Sequence, residues 1–164
     1  MSHTFGPPQG RPLKYLGLFD NLVTVTIDFT SATWNTVATH EVFTVTGVVA
    51  AATVWTITET LTSGGAATMG IGIEGAVTNY GGNYAVASLT AGVFPTPGGT
   101  STAAHQNMAP QLFTSSGAHK LLDGLDIGYQ INVAAMTDGT IVAYCFWTPI
   151  SAGATVVAGA GGSL

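Results

Sequence analysis

Only 7% of the 164 residues are Asp, Glu, Lys or Arg, where an ordinary soluble domain carries about 25%, yet 46% are hydrophobic, which excludes the disordered class. The net charge of −5 includes just three cations, Arg11, Lys14 and Lys120. Phosphate neutralisation needs several cations on one face, so neither nucleic acid nor an anionic membrane surface is an expected partner.

This length fits one domain able to bury a sizeable core. Thr, Ser, Asn and Gly must supply most of the water-facing surface. A surface so poor in charge has little to repel copies of itself or its neighbours, which suits a protein packed into an assembly.

Residues 1–19 read as an extended arm. Pro7, Pro8 and Pro12 block a helix, and Gly6, Gly10 and Gly17 loosen the backbone. Arg11 and Lys14 beside Tyr15 make this arm a candidate strap across a neighbouring subunit. Its start, Met-Ser-His-Thr-Phe-Gly-Pro-Pro, lacks the charged and apolar regions of a secretory leader, so synthesis in a cytoplasm is expected.

A domain of strands is expected over residues 20–150. Val23, Val25, Ile27 and Phe29 alternate with Thr24, Thr26 and Asp28, giving one apolar and one polar face. Residues 30–35 form a turn, and His40–Thr46 alternates again. Phe43 and Val45 are expected there on the face opposite Val42 and Thr44. Val48–Thr60 is a long β-branched strand closed by Ser63-Gly64-Gly65. Its start, Val48–Val54, is the longest apolar run and is far too short to span a bilayer.

Met69, Ile71 and Ile73 alternate with Gly70, Gly72 and Glu74, which implies that another backbone approaches closely on the glycine face, with tight packing there against a second sheet or a neighbouring subunit. Asn79-Tyr-Gly-Gly-Asn-Tyr84 reads as a loop that exposes Tyr80 and Tyr84. A further short strand fits residues 85–94. Residues 95–118, with Pro95 and Pro97 at the start, read as a long interaction loop with a short helix near Ala103–Met108. Ile127–Val133 and Thr140–Trp147 are expected to form a hairpin across Asp138-Gly139, a strong turn signal. Residues 151–164 are a small-residue tail. About seven to nine short strands and no amphipathic helix imply an all-β fold, a β-sandwich or jelly roll.

Catalytic signals are missing from this pattern, so the chain is not expected to be an enzyme. The eight acidic residues are scattered singly, and Asp28 and Glu59 are expected on solvated threonine faces. His40 and Glu41 are neighbours in a strand and point to opposite faces. His119, Asp123 and Asp126 are the tightest polar cluster, but Gly117 and Gly124 favour a turn there over a metal site, and no metal or cofactor is expected. His3 and His105 lie in irregular segments. No Gly-x-Ser-x-Gly elbow or phosphate loop occurs. Gly70-Ile-Gly-Ile-Glu-Gly75 echoes a dinucleotide fingerprint but alternates like a strand. Cys145 is the only cysteine, so no intrachain disulfide or Cys-based zinc site can form. It sits in the apolar run Ile141-Val-Ala-Tyr-Cys-Phe-Trp147 and reads as a buried, inert thiol. Trp55 aligns with Ile57 and belongs to the core.

Two stretches carry a resemblance. One is Thr24-Val-Thr-Ile-Asp-Phe-Thr30 continuing to Trp34-Asn-Thr-Val-Ala-Thr-His-Glu-Val-Phe-Thr-Val-Thr-Gly47. The other is Asp126-Ile-Gly-Tyr-Gln-Ile131 with Thr137-Asp-Gly-Thr-Ile141, Trp147-Thr-Pro-Ile-Ser151 and the Gly-rich tail. Together they resemble small virion-associated proteins of tailed bacteriophages, over about half of the chain. The resemblance implies a virion structural role, with a capsid cement or decoration protein as the expected form. Such proteins are often trimeric and sit on the major capsid protein lattice. The contact candidates are Arg11, Lys14, Tyr15, Tyr80, Tyr84, Pro95 and Pro97. The alternative is a carbohydrate-binding or adhesin module of a tail or head fibre, with Tyr80 and Tyr84 as the stacking aromatics.

Overall fold

The computed structural model describes residues 19–95, 101–103 and 119–164. Among these residues lie β1 (Asn21–Asp28), β2 (Thr39–Thr46), β3 (Val48–Ser63), β4 (Thr68–Ile73), β5 (Ala76–Ala85), β6 (Val93–Pro95) and β7 (Ser101–Ala103). They are followed by β8 (His119–Asp123), β9 (Ile127–Asn132), β10 (Met136–Pro149) and β11 (Thr155–Ala158), and a single 3-10 turn covers Val86–Ser88.

Two antiparallel sheets, ordered β1-β10-β3-β8 and β11-β2-β9-β4-β5, pack together as an all-β sandwich, with β6-β7 as a separate ribbon. The alternation read from the sequence explains the inner faces. Val25 and Ile27 of β1, Trp55 and Ile57 of β3, and Ile141, Ala143 and Cys145 of β10 are buried against Met69, Ile71, Ile127, Tyr129 and Ile131. Trp55 is therefore a core residue, as its alignment implied.

Several local expectations are corrected. The Ile127–Val133 and Thr140–Trp147 segments do not form a hairpin. β9 lies between β2 and β4, whereas β10 lies between β1 and β3, so the chain crosses from one sheet to the other at residues 133–135. Asp138-Gly139 falls inside β10, where the register against β3 shifts. Gly139 takes a φ of +109° there and its carbonyl accepts from the Phe29 amide at 3.0 Å. The motif thus makes an irregularity in a long strand, because hydrophobic burial on two different sheets outweighs a local turn preference.

Val42 and Phe43 are both fully buried, although neighbours in a strand should face opposite ways. The pairing of β2 with β9 steps from Glu41↔Gly128 to Phe43↔Ile127, so Val42 is the extra residue of a bulge. His40 and Glu41, before the bulge, do alternate: His40 is buried and Glu41 is half-buried.

The loop expected at Asn79–Tyr84 is part of β5, and β5 is irregular. Its pairing with β4 slips twice between Thr68↔Ala85 and Ile73↔Ala76. The surplus residues lay their backbone over β4: a Cβ on Gly70 would lie 2.9 Å from the Val77 carbonyl oxygen, and one on Gly72 would overlap the Ala76 carbonyl oxygen. The close approach implied by the glycine alternation is therefore made by the adjoining strand of the same sheet, in place of the second sheet or neighbouring subunit expected there.

The turn expected around His119–Asp123 is strand β8, which pairs along the first five residues of β3. The C-terminal tail adds β11 to β2, and Ala154 and Val156 enter the core. Pro95 and Ala103 belong to the β6-β7 ribbon, in place of the loop start and helix start expected for them. The rest of the proposed loop and helix, including Pro97, lies outside the described residues.

Candidate interaction surface

Among the described residues, no three His, Cys, Asp or Glu side chains converge as a metal site would require. The acidic groups serve the fold one at a time. Asp28 is exposed and accepts from the Thr30 amide at 2.8 Å and the Thr30 hydroxyl at 2.7 Å. The Thr30 hydroxyl, then the amide, hold its carboxyl below the ordinary carboxylate value. Asp126 accepts from the Val45 amide at 2.7 Å, tying the β8–β9 turn to β2 beyond the bulge. Glu59 accepts from the Thr140 hydroxyl at 3.0 Å on the threonine face expected for it.

His40 sits in an aromatic cluster. Its ring stacks on Tyr129 with centroids 4.9 Å apart, and Nε2 donates to the Thr36 carbonyl at 2.9 Å. A carbonyl can only accept, so Nε2 carries a proton in this bond, and Nδ1 has no hydrogen-bond partner among the described residues. A buried ring bonded to its own loop is structural.

Cys145 is fully buried. Loss of solvation pushes its thiol up to about 12, so the nucleophilic thiolate is scarce in the folded state. At about pH 8 a thiol reagent is expected to leave the native protein unmodified and to label it once in denaturant. Fast labelling of the folded chain would contradict this packing.

One open groove of about 510 Å³ lies at the end of the sandwich, between the β3–β4 turn and the close of β5. It is lined by Leu61, Ala67, Val86 and the hydroxyl residues Thr62, Ser63 and Thr68, with no ionisable side chain.

The outward face of the β1-β10-β3-β8 sheet is more distinctive. In an antiparallel sandwich this face should be polar. At one end it is: Thr24, Thr26, Thr56, Thr58 and Thr140 share it, and the Thr56 and Thr58 hydroxyls donate to the Val142 and Thr140 carbonyls at 3.0 and 3.3 Å. Toward the other end it turns apolar. Leu22, Phe146 and the fully buried Ala52 align across three strands, Tyr144 and Val54 form the next row together with Thr24, and Ala50 lies between Thr148 and Leu121. Leu22 is 38% exposed, Leu121 70% and Ile150, just past β10, 59%. Phe19 lies against Phe146 with ring centroids 6.5 Å apart, so the chain enters β1 at the border of this apolar area.

Of the contact residues expected from the sequence, Arg11, Lys14, Tyr15 and Pro97 lie outside the described residues, and Pro95 is half-buried at the end of β6. Tyr80 and Tyr84 are corrected: they are 5% and 2% exposed. The irregular path of β5 turns both rings inward, where burial raises their hydroxyl pKa values far above the ordinary range. The Lys120 ammonium lies 6.0 Å from the Tyr80 ring centroid and donates to Asn79 Oδ1 at 3.2 Å. Neither tyrosine can present a stacking face to a sugar or a protein partner. The outward residues Tyr144, Phe146 and Leu121 were missed, although a signal was present. Ile141–Trp147 and Val48–Ala52 are apolar on both faces, and a strand in an antiparallel sheet needs that only if both faces are to be covered.

No protein-family model, no curated protein and no solved structure matches the chain.

Proposed function

We propose that this protein is a virion structural protein, a cement or decoration subunit that binds an assembled capsid lattice and stabilises the shell. The observation that supports this reading is the apolar outward face of the β1-β10-β3-β8 sheet, with Leu22, Leu121 and Ile150 exposed beside Tyr144 and Phe146. A contiguous apolar surface rimmed by polar residues marks a contact surface. Lattice binding would cover it, and the chain's low charge leaves little repulsion to overcome. Residues 1–18 join the sheet at this border, so Arg11, Lys14 and Tyr15 are proposed to extend the same contact.

Stabilisation follows from mass action. A subunit that binds the assembled shell and not its separated parts adds about 2.7 kcal/mol per site at a concentration a hundredfold above its dissociation constant. Repetition over a lattice multiplies the effect through avidity.

The test mixes purified shells with the full chain and with a chain lacking the residues before Leu18. The full chain is expected to cosediment with shells and to raise their disassembly temperature. The truncated chain is expected to lose binding and keep its far-ultraviolet circular dichroism. Undiminished binding of the truncated chain overturns the role of the arm. A full chain that ignores shells, or density confined to a tail or fibre in reconstructions of the particle, overturns the cement reading.

A further inference from the structure

The two sheets end in four edge strands, β1 and β8 in one and β11 and β5 in the other. Edges invite pairing with other chains unless they are short, irregular or charged. Three of the four are defended in this way. β8 has five residues and carries Lys120, β11 has four residues, and β5 slips twice against β4.

β1 is neither short nor irregular, and its one charged residue, Asp28, stands at its last position. Its eight residues hold an unbroken register with β10, from Asn21↔Trp147 to Asp28↔Thr140. It contains no lysine, arginine or proline. Among the described residues, Leu22–Ile27 make no backbone hydrogen bond on the side away from β10. β11 comes near β1 at the corner of the sandwich, but the two strands are not hydrogen-bonded.

We propose that β1 is the seam of a symmetric dimer, in which β1 of a second copy of this chain adds antiparallel to it and joins two four-stranded sheets into one. The strand is complementary to itself. Residues directly opposite in an antiparallel pair point to the same face. Pairing centred on Val25 sets Thr24 against Thr26 of the second copy, Val23 against Ile27, and Val25 against its own counterpart. Thr–Thr and aliphatic cross-strand pairs are favourable. Asp28 falls opposite Leu22, so the two Asp28 carboxylates never face each other.

A further observation points the same way. Of the inward residues of β1, Ile27 is fully buried and Val25 is 8% exposed, but Val23 is only partly buried against the core. An added strand, with Ile27 of the second copy opposite, would complete the burial of Val23. This contact closes with two copies, so it differs from the threefold arrangement that the phage resemblance implies. It also goes beyond shell binding and is tested on the chain alone.

Sedimentation equilibrium of the full chain, from micromolar to millimolar concentration, reads the outcome. The mass is expected to rise to twice 16.6 kDa. Thr24 and Thr26 are exposed and outward, so their replacement leaves the core intact. Thr24→Lys with Thr26→Lys sets lysine against lysine twice and is expected to weaken the dimer about tenfold or more. Thr24→Lys with Thr26→Glu sets opposite charges together and is expected to restore it. Amide exchange in β1 of the wild type should slow as concentration rises. A wild type that stays monomeric, one that forms trimers, or a double-lysine variant that dimerises like the wild type overturns the proposal. A monomer whose β1 instead pairs with an extended peptide overturns the choice of a second copy.

Discussion

Replacing Tyr129 by alanine is expected to destabilise the fold by about 3–5 kcal/mol, the range for removing a large buried aromatic. The ring is fully buried and forms the hub of the core. Phe29 and Trp55 meet it edge-on at 5.8 and 6.4 Å, Trp34 lies 6.5 Å away, and His40 stacks at 4.9 Å. Its hydroxyl donates to the Trp34 carbonyl at 2.6 Å, which fastens the 30–38 loop to β9. Truncation would therefore open a cavity bordered by both sheets and release that loop. With a total stability of about 5–15 kcal/mol for a domain, the variant should be close to unfolding. Tyr129→Phe keeps the packing and loses only the hydrogen bond, so it is expected to cost about 1 kcal/mol. Urea unfolding of the two variants separates the contributions. If Tyr129→Ala fell within about 1 kcal/mol of wild type, the aromatic hub would not hold the sheets together.

The second large effect is expected at Gly128, where alanine should destabilise by about 3 kcal/mol through overpacking. Gly128 pairs with Glu41 on one side and Gly72 on the other. Next to this pair Val42 bulges out of register, and a Cβ on Gly128 would overlap the His40 carbonyl oxygen and lie 3.2 Å from Leu164 Cδ1. The Leu164 side chain could move, but the His40 backbone is fixed by the ladder and by the ring stacked on Tyr129. Gln130→Ala, on the same face two pairs along, is the control and should stay within about 0.5 kcal/mol. Equal unfolding midpoints for the two variants would show that β2 does not crowd β9 at this point.

Much of the fold was legible because strands write their faces into the sequence with a period of two. The stretches Val23–Phe29, Met69–Ile73 and Ile127–Val133 show it, and their inward residues are those found buried, except that Val23 is only partly buried and Val133, which lies past the end of β9 with a left-handed φ of +75°, is 75% exposed. The Gly70 and Gly72 positions likewise announced a close backbone. The proposed contact surface was legible in a weaker way. Apolar residues on both faces of Ile141–Trp147 implied a second cover, but tyrosines among glycines near residue 80 drew attention to the wrong aromatics. Glycine and asparagine around Tyr80 and Tyr84 signal irregular backbone, and an irregular strand exposes as readily as it buries.

The sequence by itself determined the class of this protein: an all-β chain, poor in charge, with one cysteine in an apolar strand and its acids scattered singly. Those properties follow from composition and local alternation, which need no knowledge of distant neighbours. Only the tertiary structure decided which strands pair, where a bulge reverses the faces of β2, and that Asp138-Gly139 serves a long strand in place of a turn. It alone revealed that Tyr80 and Tyr84 point inward and that, among the described residues, β1 is left as a regular edge strand. Each of these depends on contacts between residues far apart in the chain, where burial of apolar area outweighs the fractions of a kcal/mol that local preferences supply.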